Sequence, residues 1–405
     1  MVDRSIGSAS LRAGPTIVTT ASSGQVGVLA HSLASGVSAW ARQVVRSFGL
    51  ALRGDVIAYA VISLYFVLCG LYLHFYHETI FNGLIDHYYS VFRTVLTMVY
   101  VPIFVFVCLF LSAYRRRRMS VPAELDFFAP EFWARFGAGI VLIGFFIFMM
   151  TAYSTVKTML PFDRGFPYDQ PLAAIDAYLH GDDPWRFLHN LVDPKVYGVA
   201  IDRLYGQGWM LYWSALAFWI CVSGRANAVR NRYVINLVLT WAILGNVMAG
   251  LAKSAGPMFY GQVTGDTERF GEITAVLNQL AEHGGLAASF RDYLWAAYES
   301  RTAGVGSGIS AFPSLHVAIV TLNALYVREL FGKAAQTLAW SYLAFTLFAS
   351  VYLGWHYAID GYASIVAVIA IYALLRMVSR RLERVTIGLN RHAVQSNRVN
   401  PLCIK

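Results

Sequence analysis

Three residues of this chain have the types and spacing for nucleophilic and acid–base work: His316, His356 and Asp360. His356 and Asp360 stand four apart in Gly354-Trp355-His356-Tyr357-Ala358-Ile359-Asp360, so on a helix they share a face one turn apart. A carboxylate so placed can accept the Nδ1–H of the imidazole, which fixes the tautomer and leaves Nε2 as nucleophile or base. His316 closes Ala311-Phe312-Pro313-Ser314-Leu315-His316. Pro313 and Ser314 mark a helix start there, whose free N–H groups and serine hydroxyl suit a phosphate. A second histidine beside it can protonate a leaving oxygen. The layout is that of phosphoryl transfer by histidine. His316, His356 and Asp360 are its candidate catalytic residues and Ser314 a candidate substrate-binding residue. It calls for no metal and no cofactor. A zinc site made of the same three side chains is a rival use, with Asp360 on the ion instead of on His356. Taken singly, each feature reads as an interfacial histidine or a structural hydrogen bond. Their convergence at one depth favours chemistry.

Both motifs sit where a polar loop enters an apolar segment, and ionisable groups are costly at such places unless they are used or paired. The chain is 57% hydrophobic and 14% charged, with a mean hydropathy of +0.51. That charge fraction is well below the roughly 25% of soluble domains. Apolar runs of membrane-crossing length recur. The expected fold class is therefore all-α, a polytopic membrane helical bundle. Eight candidate spans can be placed: 56–76, 95–114, 136–153, 209–222, 234–252, 315–330, 338–353 and 357–377. Two long outer loops, 154–208 and 253–310, interrupt them. The organisation expected is a disordered and interfacial segment over 1–55, N-terminal transmembrane helices over 56–153, a catalytic membrane domain over 154–378 and a basic cytoplasmic tail over 379–405. No cysteine pair has metal or redox spacing, and no motif points to nucleic acid.

Positive charge orients such a bundle. With the N-terminus inside, 22 of the 32 lysines and arginines fall on the cytoplasmic side, including the run Arg115-Arg116-Arg117-Arg118. Both termini are then cytoplasmic, and Lys253, His316, His356 and Asp360 all reach the outer layer. The expected location is a plasma membrane, the inner membrane of a bacterium, with the site on the outer side.

At these residues the chain resembles the type-2 phosphatidic acid phosphatase superfamily, integral-membrane branch, whose motifs are K-x6-R-P, P-S-G-H and S-R-x5-H-x3-D. Pro313-Ser314-Leu315-His316 is similar to the second, with Leu for Gly. Val351 to Asp360 is similar to the body of the third, with Ala349 and Ser350 where the family has Ser-Arg. Lys253 stands for the first-motif lysine, and Tyr260-Gly261 falls on its Arg-Pro. The branch of inositol phosphorylceramide and sphingomyelin synthases also has His-Tyr-x-Ile/Val-Asp without that arginine. The stretches 254–260 and 176–184 resemble the same branch, and the likeness runs from about residue 155 to 378. It implies that His356 takes the phosphoryl group, Asp360 orients it, and His316 protonates the leaving group. Lys253 and Tyr260 would bind substrate, and Arg301, Lys195 and Arg203 are candidates for the missing cations. The implied activity moves a phospho-headgroup from a phospholipid donor to a lipid or glycan hydroxyl. Hydrolysis of a lipid phosphate is the alternative. A lipid-linked-sugar glycosyltransferase using Asp182-Asp183 is a further one, although acids before Pro184 also make an ordinary turn. A non-catalytic transporter would show paired broken helices in two halves, and no such internal repeat is present.

Overall fold

In hydrocarbon every backbone N–H and C=O must be satisfied within its own segment, so long apolar runs become helices. The computed structural model, which describes residues 23–76, 81–116 and 129–399, is built in that way, with no strand among the described residues. Among the described residues, five helical stretches are long and apolar enough to cross a membrane: Val56–Phe75, Asp86–Phe110, Pro130–Phe162, Arg230–Leu251 and Ala358–Leu382. The protein is an all-α polytopic membrane bundle.

The first part of the chain supplies α1 (Ser23–Gly54), α2 (Val56–Tyr76), α3 (Phe81–Val95), α4 (Val101–Arg116) and α5 (Pro130–Met159). α1 and α2 pack along α5, and Gln43 of α1 donates to Glu131 at 2.7 Å. Residues 1–22 of the segment expected to be disordered lie outside the described residues. So do Arg117 and Arg118 of the basic run, and 400–405 of the tail.

The connection 154–208, expected as an outer loop, is helical. It holds α6 (Asp169–His180), α7 (Pro184–Leu191) and α8 (Pro194–Arg203). α8 passes through a π-turn at Leu204–Gly208 into α9 (Trp209–Val222). Next come α10 (Arg230–Ala242), a second π-turn at Ile243–Met248, and the short α11 (Ala249–Leu251). The other connection folds likewise, as α12 (Tyr260–Thr264), α13 (Gly271–Glu282) and α14 (Ala287–Glu299). The bundle closes with α15 (Leu315–Phe331), α16 (Lys333–Tyr352) and α17 (Ala358–Val399).

All eight predicted spans are thus helical, but α9, α15 and α16 are not among the five that meet the length and apolarity of a crossing. α9 has 14 residues and α15 has 17, fewer than the about 20 a lone crossing needs. α15 is instead lined with buried residues from Val317 to Val327. Helices screened by protein are relieved of the need to match lipid alone.

Two apolar clusters result. The larger joins α2, α5, α9, α10, α15 and α17 within the bundle. The smaller joins α6, α7, α12 to α14 and the ends of α16 and α17, and includes Trp185, Met258, Phe259, Ile273, Leu353 and Tyr357. The two supposed loops therefore fold as a helical cap with its own core, seated over one end of the bundle. At the other end, buried Asp55 lies between Arg135 (2.5 Å) and Arg230 (3.4 Å). Arg230 also donates to the Ile220 and Ser223 carbonyls. These contacts pin α1–α2, α5 and α9–α10 together.

Candidate active site

The site forms under the cap. Ser314 is the N-cap of α15, its hydroxyl accepting from Val317 N at 3.4 Å. His316 then lies in the first turn. Its ring stacks on Tyr205, with centroids 4.6 Å apart at 17°, and meets Trp209 at 4.2 Å. Tyr205 comes from the π-turn between α8 and α9, and Trp209 donates its indole N–H to the His316 carbonyl at 3.1 Å. A π-turn shifts the register of the side chains that follow, a device frequent at functional sites.

His356 lies in the short connection between α16 and α17, almost fully buried. Its ring centroid is 6.3 Å from that of His316. Nδ1 is 2.8 Å from the Ala311 carbonyl and 3.4 Å from Asp360 Oδ2. His356 and Asp360 do approach each other, but His356 precedes α17 and does not share a helical face with Asp360, and its nearer acceptor is a backbone carbonyl 45 residues away. Either acceptor requires Nδ1–H, so Nε2 carries the lone pair. Oδ2 of Asp360 also accepts from Tyr357 N at 3.0 Å, and the Asp360 carbonyl accepts from Ser314 N at 3.3 Å. The two histidine motifs are thus hydrogen-bonded to each other directly.

Two carboxylates on α6 hold this arrangement. Asp169, fully buried, accepts from Ser254 Oγ (2.9 Å), Ala255 N (2.8 Å), Gly256 N (2.8 Å) and the Tyr357 hydroxyl (3.0 Å). Burial pushes its carboxyl upward, and those four donors hold it down. Asp176, two turns on, accepts from Ala358 N (3.0 Å) and Ile359 N (3.1 Å), the free amides at the start of α17. Burial raises its carboxyl too. Gly256 has φ +93°, and a Cβ there would stand 2.6 Å from the Trp355 carbonyl, so only glycine lets this loop approach His356 so closely. Asp176 lies in a stretch already singled out by resemblance. Asp169 had no sequence signal, because its partners are 85 to 188 residues distant.

The remaining candidates are placed otherwise. Lys253 is ion-paired to Asp163, whose carboxyl is held below its usual range by that contact. Tyr260 is buried edge-on against Phe270, with the Arg269 guanidinium 5.9 Å from its ring. Ser350, at the other lost arginine, is buried and donates to the Leu347 carbonyl. Asp183 precedes Pro184 at the start of α7 and is gripped by Arg269 through Nε at 2.9 Å and Nη2 at 2.7 Å. Its carboxylate is committed to that ion pair. Among the proposed replacement cations, Lys195 and Arg301 are exposed, and Arg203 bonds the Gly284 carbonyl and Gln207.

An apolar helical bundle that brings two histidines and a buried carboxylate together under a helical cap at one end is a polytopic membrane protein with a candidate acid–base site. The sequence model of the PAP2 superfamily matches residues 170–374, just over half of the chain, and the chain belongs to that superfamily. Comparison with curated proteins and with solved structures finds no match. Membership carries a lipid phosphatase or phosphotransferase type of activity.

Proposed function

We propose that the protein is an integral-membrane lipid phosphotransferase that moves a phospho-headgroup from a phospholipid to a lipid or glycan hydroxyl. The observation that carries this is the pairing of His316 and His356, 6.3 Å apart, with His356 Nδ1 engaged by Ala311 and Asp360. Nε2 of His356 attacks phosphorus and forms an N–P bond. The P–O bond to the donor's leaving group breaks, and His316 gives that oxygen a proton. The acceptor hydroxyl then loses its proton to His316 and attacks phosphorus, and the N–P bond breaks. Asp360 orients His356 and balances its positive charge.

A diester donor is favoured by what stands at the two aligned arginine positions, Tyr260 and Ser350, both buried and neither cationic. A phosphate contact from arginine is worth about 1.5–3 kcal/mol, and a doubly charged monoester loses more from its absence than a singly charged diester. The experiment is product analysis by mass spectrometry, with labelled phospholipids, with and without candidate acceptors. Headgroup-phosphate transfer that persists in EDTA is expected. Inorganic phosphate released from a lipid monoester as the sole fast reaction would assign the site to hydrolysis instead.

We place the cap on the outer face of the membrane, from the charge bias. Glu282→Cys, on the exposed end of α13, is then labelled by an impermeant maleimide in intact cells, and Asn227→Cys only after permeabilisation. The reverse pattern would invert the topology.

A further inference from the structure

The proposed transfer leaves a question of charge. The two arginine positions of the superfamily motifs are empty of cations, and the cations named so far face carboxylates, carbonyls or solvent. One basic side chain does not. Lys157, in the last turn of α5, is half-buried and makes no hydrogen bond or ion pair with the described residues; its Nζ lies 6.0 Å from the centroid of the Tyr153 ring.

Several contacts put this lysine at the site. Tyr153 and Leu315 both close on Gly245: a Cβ built there would stand 2.5 Å from Tyr153 and 3.0 Å from Leu315. Tyr153 is therefore next to the residue preceding His316, and Lys157 is one turn further along the same face of α5. Thr158 Oγ1 and Ser307 Oγ are 2.8 Å apart, which fastens the end of α5 to the strand of chain leading into Ala311 and Ser314. Gly308, at φ +94°, seals that junction, since a Cβ there would be 2.9 Å from Lys157 Cγ. The buried hydroxyls of Tyr153 and Tyr205 have no hydrogen-bond partner among the described residues.

We propose that Lys157 is the residue that holds the transferred phosphate, gripping its non-bridging oxygens in place of the missing motif arginines. It is a specificity-determining residue delivered by a helix outside the 170–374 segment that defines the superfamily match. This rests on the phosphotransferase reading above. An ammonium withdrawn from water without a counter-ion is unfavourable, and an arriving phosphate supplies the missing charge. One lysine gives a single point of positive charge, whereas an arginine grips two oxygens in a planar fork. That suits the singly charged phosphate of a diester better than a monoester dianion.

The experiment compares wild type, Lys157→Met and Lys157→Arg as purified full-length protein, with orthovanadate as a free tetrahedral-anion probe and labelled phospholipid as the donor. Lys157→Met should weaken vanadate inhibition about ten- to hundredfold and raise the donor KM. Its thermal unfolding without ligand should be unchanged or higher, because an unpaired charge is gone. Lys157→Arg should restore part of the vanadate affinity. Should Lys157→Met not fold, wild type decides: vanadate must protect Lys157 from acetic anhydride, read by peptide mass spectrometry. Unchanged vanadate affinity in Lys157→Met, or no protection in wild type, overturns the proposal, while loss of activity in His356→Ala in the same assay keeps the phosphotransferase reading intact. Full activity in His356→Ala would sink that reading instead.

Discussion

The Tyr357 hydroxyl donates to Oδ1 of Asp169 at 3.0 Å, across 188 positions of sequence. Through this bond the first cap helix, α6, grips the residue next to His356. The same carboxylate holds the 254–256 loop, whose Ser254 carbonyl accepts from Ala311 N at 2.7 Å. Ala311 in turn offers its carbonyl to His356. One buried aspartate thus fixes both neighbours of the His356 ring.

Asp169→Ala should therefore fail on two counts. It strips four donors of their acceptor, two of them backbone amides, and each orphaned buried group costs about 1–3 kcal/mol. A loss of stability of about 3 kcal/mol or more is expected, together with a fall in turnover larger than the rise in KM. Thermal unfolding and steady-state kinetics in detergent would show it. Wild-type stability would mean that the cap is held by its apolar core alone.

His356→Ala and His316→Ala should each lower turnover by at least about a thousandfold, with folding retained, because a covalent step draws most of its acceleration from the nucleophile and its acid partner. Asp360→Asn should be milder than His356→Ala, since the Ala311 carbonyl still holds Nδ1. Equal losses in the two variants would show that the carboxylate charge matters more than the tautomer.

Acidification should loosen the cap through His189. This histidine of α7 is 2.8 Å from the Tyr352 carbonyl and packs edge-on to Tyr352 and Trp185. Burial holds its pKa below the ordinary value near 6.5. A depressed folded-state pKa means that the unfolded chain takes up the proton first. The stabilising contribution is complete above about pH 6.5 and is lost as pH falls through the lowered value. His189→Gln keeps a donor for Tyr352 and cannot titrate. Its unfolding temperature should fall less between pH 7 and pH 5 than that of wild type. Parallel curves would remove His189 from the account.

Asp55→Ala should destabilise the end of the bundle remote from the site. It leaves Arg135 and Arg230 buried together without their carboxylate, and breaking such a group costs about 3–5 kcal/mol. Turnover at permissive temperature should stay close to wild type. A variant as stable as wild type would show that the carbonyls around Arg230 suffice.

The sequence by itself determined the class of the protein and singled out the histidines and the aspartate of its candidate site. Apolar runs in a chain with so little charge can only be satisfied as helices, and each of the eight segments is helical. The four-residue spacing of His356 and Asp360 and the Pro-Ser-x-His turn at 313–316 are local patterns, so both were legible and both meet in space. Tertiary structure decided the rest. The connections 154–208 and 253–310 are amphipathic only in short pieces, which fold because each finds a partner in the other. Asp169 and Ala311 act on the site through backbone groups and through residues far off in sequence, and no motif spacing reports such bonds. Lys157 lies at the end of an apolar helix and ahead of the motifs. Its position depends on how the end of α5 meets Gly245 of the π-turn after α10 and Gly308 of the segment before α15, contacts that exist only once the bundle has closed.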